Sequence, residues 1–260
     1  VIDPRLFQIT ALCTLLAIGI GHFELGASAS QAAVTIGATL ATQAVANRMV
    51  GKAFDWKSPA ITGLSLTLLL RTHDPLVWAA SGVIGIGAKF LLRVRGKHLF
   101  NPACLAIVTL LLTTHVVWVS PGQWGTLAWG AGALAAAAAL VLSRAGRIDM
   151  AVGFLSFWWL LLAVRCLWLG DPWTIPVHQM QSGALLIFAF FMITDPRSTP
   201  NSRHGRLVFA AAVALVGHWL QFYGQMREGL FYALIGVSLV TPLLDMALPE
   251  RRFSWVARVA

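Results

Sequence analysis

Long apolar runs alternate with short polar connections along almost the whole chain, predicting helices near residues 6–25, 31–47, 59–70, 76–92, 102–119, 124–142, 150–169, 182–194, 207–223 and 229–247. Several runs reach the roughly 20 residues that a helix rising 1.5 Å per residue needs to cross about 30 Å of hydrocarbon. The pattern therefore reads as an all-α polytopic membrane protein of about ten transmembrane helices. Two segments are too short to cross: 59–70 and 182–194 would extend only about 18–20 Å as ideal helix. Each leads into an Asp-Pro pair, Asp74-Pro75 and Asp195-Pro196. A proline pushes the residue before it out of the helical region, so both segments are expected to break at or near membrane depth. Irregular backbone there is tolerated only inside protein or beside a polar cavity.

The two interruptions occupy matching places. Thr62-Gly63 precedes Asp74-Pro75 as Ser182-Gly183 precedes Asp195-Pro196, and Asn101-Pro102 is echoed by Thr241-Pro242. Residues 1–119 and 120–247 then form two repeats of five helices, with 248–260 as a tail. An odd number of crossings per repeat gives the halves opposite orientations, an inverted repeat with broken half-helices at spans 3 and 8. The expected site lies where those half-helices meet.

Composition sharpens this picture. The chain is 58% hydrophobic and 11% charged, against about 25% charged residues in soluble domains. A net charge of +9 would suit nucleic acid on a soluble face, but the basic residues flank apolar runs, and no nucleic-acid partner is expected. With the N-terminus inside, the inner connections hold 15 Lys and Arg residues and the outer ones only Arg71 and Arg227. By the positive-inside rule this places a multi-pass chain in a bacterial-type inner (cytoplasmic) membrane with both termini cytoplasmic. Lys89 and Arg165, near span ends, can snorkel to the interface.

Candidate chemistry concentrates at the interruptions. A half-helix leaves unpaired N–H groups at its N-terminus, so Thr62, Gly63, Ser182 and Gly183 either cap and pack helices or let a phosphate, carboxylate or flavin carbonyl approach the backbone. Asp74 and Asp195 either cap turns before proline or serve as an ion or proton relay. His22, His73, His115, His178 and His218 fall on or near one side, but nothing in their spacing enforces paired haem axial ligation. Cys13, Cys104 and Cys166 are single and read as core residues, and no metal site is expected. The sequence carries no phosphate-binding loop, GxSxG elbow or zinc-type His/Glu motif.

Two blocks, Lys97-His98-Leu99-Phe100-Asn101-Pro102-Ala103 and Ser182-Gly183-Ala184 with Phe191-Met192-Ile193-Thr194-Asp195-Pro196, resemble a known family. It is the family that unites the D subunits of Rnf-type electron-transport complexes with the B subunits of the sodium-pumping NADH:quinone reductase. The likeness continues through Gly205-Arg206-Leu207-Val208-Phe209 to Thr241-Pro242-Leu243-Leu244-Asp245 and covers most of residues 58–246. It implies a membrane-embedded flavoprotein passing electrons between flavins and neighbouring subunits, coupled to cation movement. Thr62, Gly63, Phe100, Asn101, Ser182, Gly183 and Asp195 become candidate cofactor residues. The family's phosphoester-linked FMN sits on a threonine of a Ser/Thr-x-Ala-Thr sequence. Here Ser182-Gly183-Ala184 is followed by Leu185, which has no hydroxyl to esterify. The expectation is therefore a non-covalent flavin, FMN or riboflavin, with haem b the lesser alternative.

The chain is thus expected to be an electron-transfer subunit, at most one part of a membrane oxidoreductase. Its partners would be the lipid bilayer and other membrane or peripheral redox subunits. The alternatives are a channel or carrier for a small solute or ion, or a cofactor-free anchoring subunit.

Overall fold

Short polar residues and prolines decide where the helices begin. In a computed structural model describing residues 3–21, 26–120 and 146–253, the first five helices are α1 (Pro4–Gly21), α2 (Ala29–Met49), α3 (Lys57–Leu69), α4 (Pro75–Leu91) and α5 (Pro102–Thr113). The second half supplies α6 (Ile148–Leu169), α7 (Thr174–Met180), α8 (Gly183–Met192), α9 (Arg203–Phe222), α10 (Gly229–Ser238) and α11 (Thr241–Ala247). Side-chain oxygens of Ser28, Asp74, Asn101 and Ser202 accept from the backbone N–H groups of Gln31, Leu76, Cys104 and Gly205 at 3.1, 2.8, 3.0 and 3.0 Å. These satisfy donors that a helix start leaves orphaned, and Pro75 and Pro102 add a preset first turn.

Among the described residues, four two-residue strands interrupt the succession of helices. β1 (Leu70–Arg71) pairs antiparallel with β4 (Trp118–Val119), Leu70 opposite Val119. β2 (Arg93–Val94) and β3 (Lys97–His98) form a hairpin through Arg95 and Gly96, both at positive φ, the combination a type I′ turn needs. The expected continuous span at 102–119 is accordingly a helix that stops at Thr113, with the chain returning as β4.

Three helices, α1, α6 and α9, are long and apolar enough to cross a membrane. The pairs α7–α8 and α10–α11 also qualify, bent by 49° and 48°, which raises the number among the described residues to five. The chain is a multi-pass membrane protein. The expected span at 229–247 is broken at Leu239 and Val240, just before Pro242, which cannot donate to the helical ladder. Residues 174–180, which the apolar pattern assigns to a connection, form the helix α7. The predicted sixth span, 124–142, lies outside the described residues.

Polarity runs inside out. Leu76, Leu91 and Trp168 are 78%, 82% and 80% exposed, as a lipid-facing surface requires. Meanwhile Gln31, Thr35, Thr39, Gln43 and Asn47, about one helical turn apart, form a buried polar stripe on α2 facing α3 and α4. Two glycines permit the close approach: a Cβ on Gly63 of α3 would lie 2.8 Å from Thr39 Oγ1, and one on Gly82 of α4 would lie 2.9 Å from Ala38. The second half packs differently, around aromatic side chains. Phe188 of α8 lies 5.3 Å from Phe154 of α6 and 5.6 Å from Phe231 of α10, between ring centroids, the spacing of favourable edge and tilted pairs. Cys104 and Cys166 are buried, whereas Cys13 is on the exposed face of α1 rather than in the core.

Candidate functional site

The two interrupted helices, α3 and α8, end in different ways. At the C-terminus of α3, Arg71 folds back to donate from Nη1 to the carbonyls of Thr67 and Leu70 (2.7 and 2.9 Å) and from Nη2 to Leu68 (3.0 Å). Gln31 Nε2 adds a bond to Leu70 O at 2.9 Å. These carbonyls are orphans of helix termination and would cost free energy if left bare in an apolar interior. α8 ends otherwise. Its last turn, Phe188–Met192, widens into a π-helix, and Ile193 N donates to Phe188 O at 3.0 Å before the chain leaves at Asp195-Pro196.

A cavity of about 330 Å³ lies at the N-terminal end of α3 and the C-terminal end of α8. Ser58 and Thr62 of α3, Lys89 of α4, His98 of the hairpin, Asn101 and Asp195 supply polar groups to its wall, and Phe90, Phe190 and Phe191 supply aromatic surface. Asn101 joins the two walls: its Oδ1 caps α5, and its Nδ2 donates to Met192 O at 3.1 Å. Five basic side chains line the space (Arg5, Lys52, Lys89, Arg93, Arg197) against two carboxylates (Asp55, Asp195), an excess of three positive charges.

The charges are held in place. Arg5 bonds both Asp3 and Asp55. Burial alone would raise the Asp55 carboxyl, but the Arg5 bond and the Lys57 backbone N–H hold it below its usual range. Burial pushes His98 down to about 4, aided by Lys89, Arg197 and Arg93 and opposed by Asp195, so the imidazole is neutral at pH 7. Outside the cavity, Lys97 bonds Asp245 at 2.8 Å, and Asp245 Oδ1 accepts from Asn201 N at 2.8 Å. Arg206 pairs with Asp149, and Arg147 donates to Pro200 O at 2.8 Å. Together these clamp the turn from Asp195 to Ser202 against β3, the start of α6 and α11.

The residues that the sequence marks fall into two groups. Thr62, Asn101 and Asp195 line the cavity. Gly63 packs against α2, and Phe100, though beside Asn101, is not in the wall. Ser182 and Gly183 start α8 and so lie at its far end, which leaves the cavity with one half-helix N-terminus, not two. Asp74 is exposed and caps α4, accepting from Leu76 N. Asp195 accepts from Arg197 N at 3.1 Å and Ser198 Oγ at 3.0 Å. Of the histidines, His73 lies tilted against Trp118 (5.3 Å) and His218 lies against Phe222 (4.6 Å), while His22 lies outside the described residues. Lys89, Arg93 and His98 carry no site signal in the apolar pattern. The signal that finds Lys89 is the buried face of α4, where Gly82, Gly85, Ile86 and Lys89 recur at helical spacing.

Known proteins resemble this chain over its second half and, in one case, over most of its length. The profile of the NQR2, RnfD, RnfE family matches residues 116–254. The D subunit of the Na(+)-translocating ferredoxin:NAD(+) oxidoreductase complex of Acetobacterium woodii is 27% identical over 288 residues, covering 94% of this chain and 87% of that protein. The D subunit of the ion-translocating oxidoreductase complex of Salmonella enteritidis PT4 is 32% identical over 125 residues, covering 47% of this chain and 34% of that protein. Its counterpart in Escherichia coli SE11 is 33% identical over 125 residues with the same coverage, so the matched region spans only about a third of these two relatives.

Proposed function

We propose, from the premise that the chain belongs to the NQR2, RnfD, RnfE family, that it is a membrane-embedded electron-transfer subunit of an ion-translocating oxidoreductase complex. In this reading it holds a flavin, FMN or riboflavin, without a covalent bond in the basic cavity. One observation carries it. The two blocks that define the family resemblance, separated by about ninety residues in sequence, meet through Asn101 and Met192 at the wall of that cavity.

The residues present suit a flavin by their chemistry. Aromatic surface from Phe90, Phe190 and Phe191 would exclude water from a flat ring, and Lys89, Asn101 and Thr62 would meet its electron-rich edge. When bound, the flavin supplies the electron acceptance and donation, and the chain fixes position, polarity and access. Ten spans in two inverted repeats remain the layout we favour, supported by the shortness of α3 and α8 at corresponding places. The basic end, with the cavity, then faces the cytoplasm beside peripheral redox partners. Purified protein is expected to release flavin into the supernatant on acid denaturation, with an intact mass equal to the bare chain. A colourless preparation that supports electron transfer, or a mass increased by FMN, overturns the proposal.

A second reading, a channel or carrier for a small solute or ion, has its own observation. The polar stripe of α2 runs from Gln31 to Asn47, about 24 Å along the axis, and Thr35 Oγ1 on it is buried without a hydrogen-bond partner among the described residues. Flux through liposomes holding this chain alone favours that reading.

A further inference from the structure

Lys89 is 5% exposed, on the buried face of α4. Its ammonium donates to Gln43 Oε1 at 2.9 Å and Ser58 Oγ at 2.8 Å. Both acceptors are neutral. An ammonium has three N–H groups, so one remains, and Lys89 lines the cavity. Among the described residues it has no carboxylate within ion-pair distance. The two carboxylates of the cavity are committed elsewhere, Asp55 to Arg5 and Asp195 to Arg197 N and Ser198 Oγ. Asp195 and Asp55 act on it only through space, and a buried cation without a contact ion pair is costly and marks a substrate or ion pathway.

The surroundings reinforce the same sign. Arg93 lies over Phe90, 5.1 Å from the ring centroid, and bonds the Lys89 carbonyl. Lys52 and Arg197 add charge at the exposed rim. The first turn of α3 contributes Ser58 and the positive end of its dipole to the same wall. The space, about 330 Å³, is in the range that holds an organic ligand rather than a lone ion.

We infer that the cavity is a site for the phosphate-bearing end of an organic anion, with Lys89 as its buried counter-charge. Resting on the flavin reading above, this selects FMN over riboflavin. The same phosphate chemistry could be offered by an anionic lipid headgroup or by inorganic phosphate, and the test separates these sources.

The full chain in nanodiscs of zwitterionic lipid is titrated with FMN, riboflavin and inorganic phosphate, beside Lys89→Gln and Lys89→Arg. FMN is expected to bind at least about tenfold more tightly than riboflavin, the worth of one charge-assisted bond. The preference disappears in Lys89→Gln and survives in Lys89→Arg, and inorganic phosphate competes with FMN. Equal affinity for the two flavins, or a preference that persists in Lys89→Gln, overturns the inference. If neither flavin binds but inorganic phosphate or phosphatidylglycerol raises the melting temperature of wild type and not of Lys89→Gln, the anion site stands and the flavin reading falls. If no phosphate species binds, the anion site falls. Should Lys89→Gln not fold, salt decides on wild type alone. FMN binding weakens with ionic strength while riboflavin binding does not, and an FMN affinity indifferent to salt overturns the site.

Discussion

The guanidinium of Arg71 meets three carbonyls at the end of α3, those of Thr67, Leu68 and Leu70. In sequence this arginine reads as one of two outer charges, a topology marker. In the folded chain it is 4% exposed and closes a helix that stops after 13 residues. Position along the chain shows that the helix is short, but nothing local shows which side chain returns to satisfy its last turn. Replacing Arg71 by Met keeps the stem and removes the donors. Bonds from a charged group, and the bare carbonyls left behind, put the loss at about 3 kcal/mol. Unfolding of the detergent-solubilised variant, followed by helical circular dichroism, checks this, and a stability equal to wild type would remove Arg71 from its capping role.

At the scale of elements, the hairpin β2–β3 brings His98 to the cavity wall. Burial lowers its pKa from 6.5 to about 4, with Lys89, Arg197 and Arg93 acting in the same direction and Asp195 against. An unfolded chain takes up a proton near pH 6.5 that the folded chain refuses until about 4. The contribution is therefore complete above pH 6.5 and is lost as pH falls through that window. Some solvent reaches the ring, and the loss is expected to be about 2 kcal/mol. Melting temperature against pH should fall less between 6.5 and 4 in His98→Asn than in wild type. The starts of helices that begin at proline or a capping side chain, such as α4 and α5, are readable in sequence to within a residue. The return of the chain as β4 is not, because Val116 to Val119 prolong the apolar run past Thr113. The cavity is half legible. Thr62, Asn101 and Asp195 stand at breaks that sequence marks, whereas Lys89 reads as a snorkelling lysine until α2 is seen to pack over it.

For the whole molecule, one long helix among the described residues stands apart from the apolar spans. α2 is 21 residues long, yet it is not among the helices apolar enough to cross on their own. Its glutamines and asparagine are met by Leu70 O, Lys89 and Ala53 O, groups that later segments bring. During biogenesis the translocon meets α2 before any of these has been synthesised, and scores each polar side chain against lipid. Left alone, α2 should enter the bilayer poorly. In a glycosylation-based insertion assay, its integration as a single segment is expected to be low and to rise when α3 and α4 follow it in the same chain. Efficient integration of α2 by itself would count against this dependence. If it holds, membrane assembly of this protein is committed late, by a group of three segments arriving together, and a defect in the last of them is felt as failed insertion of the first.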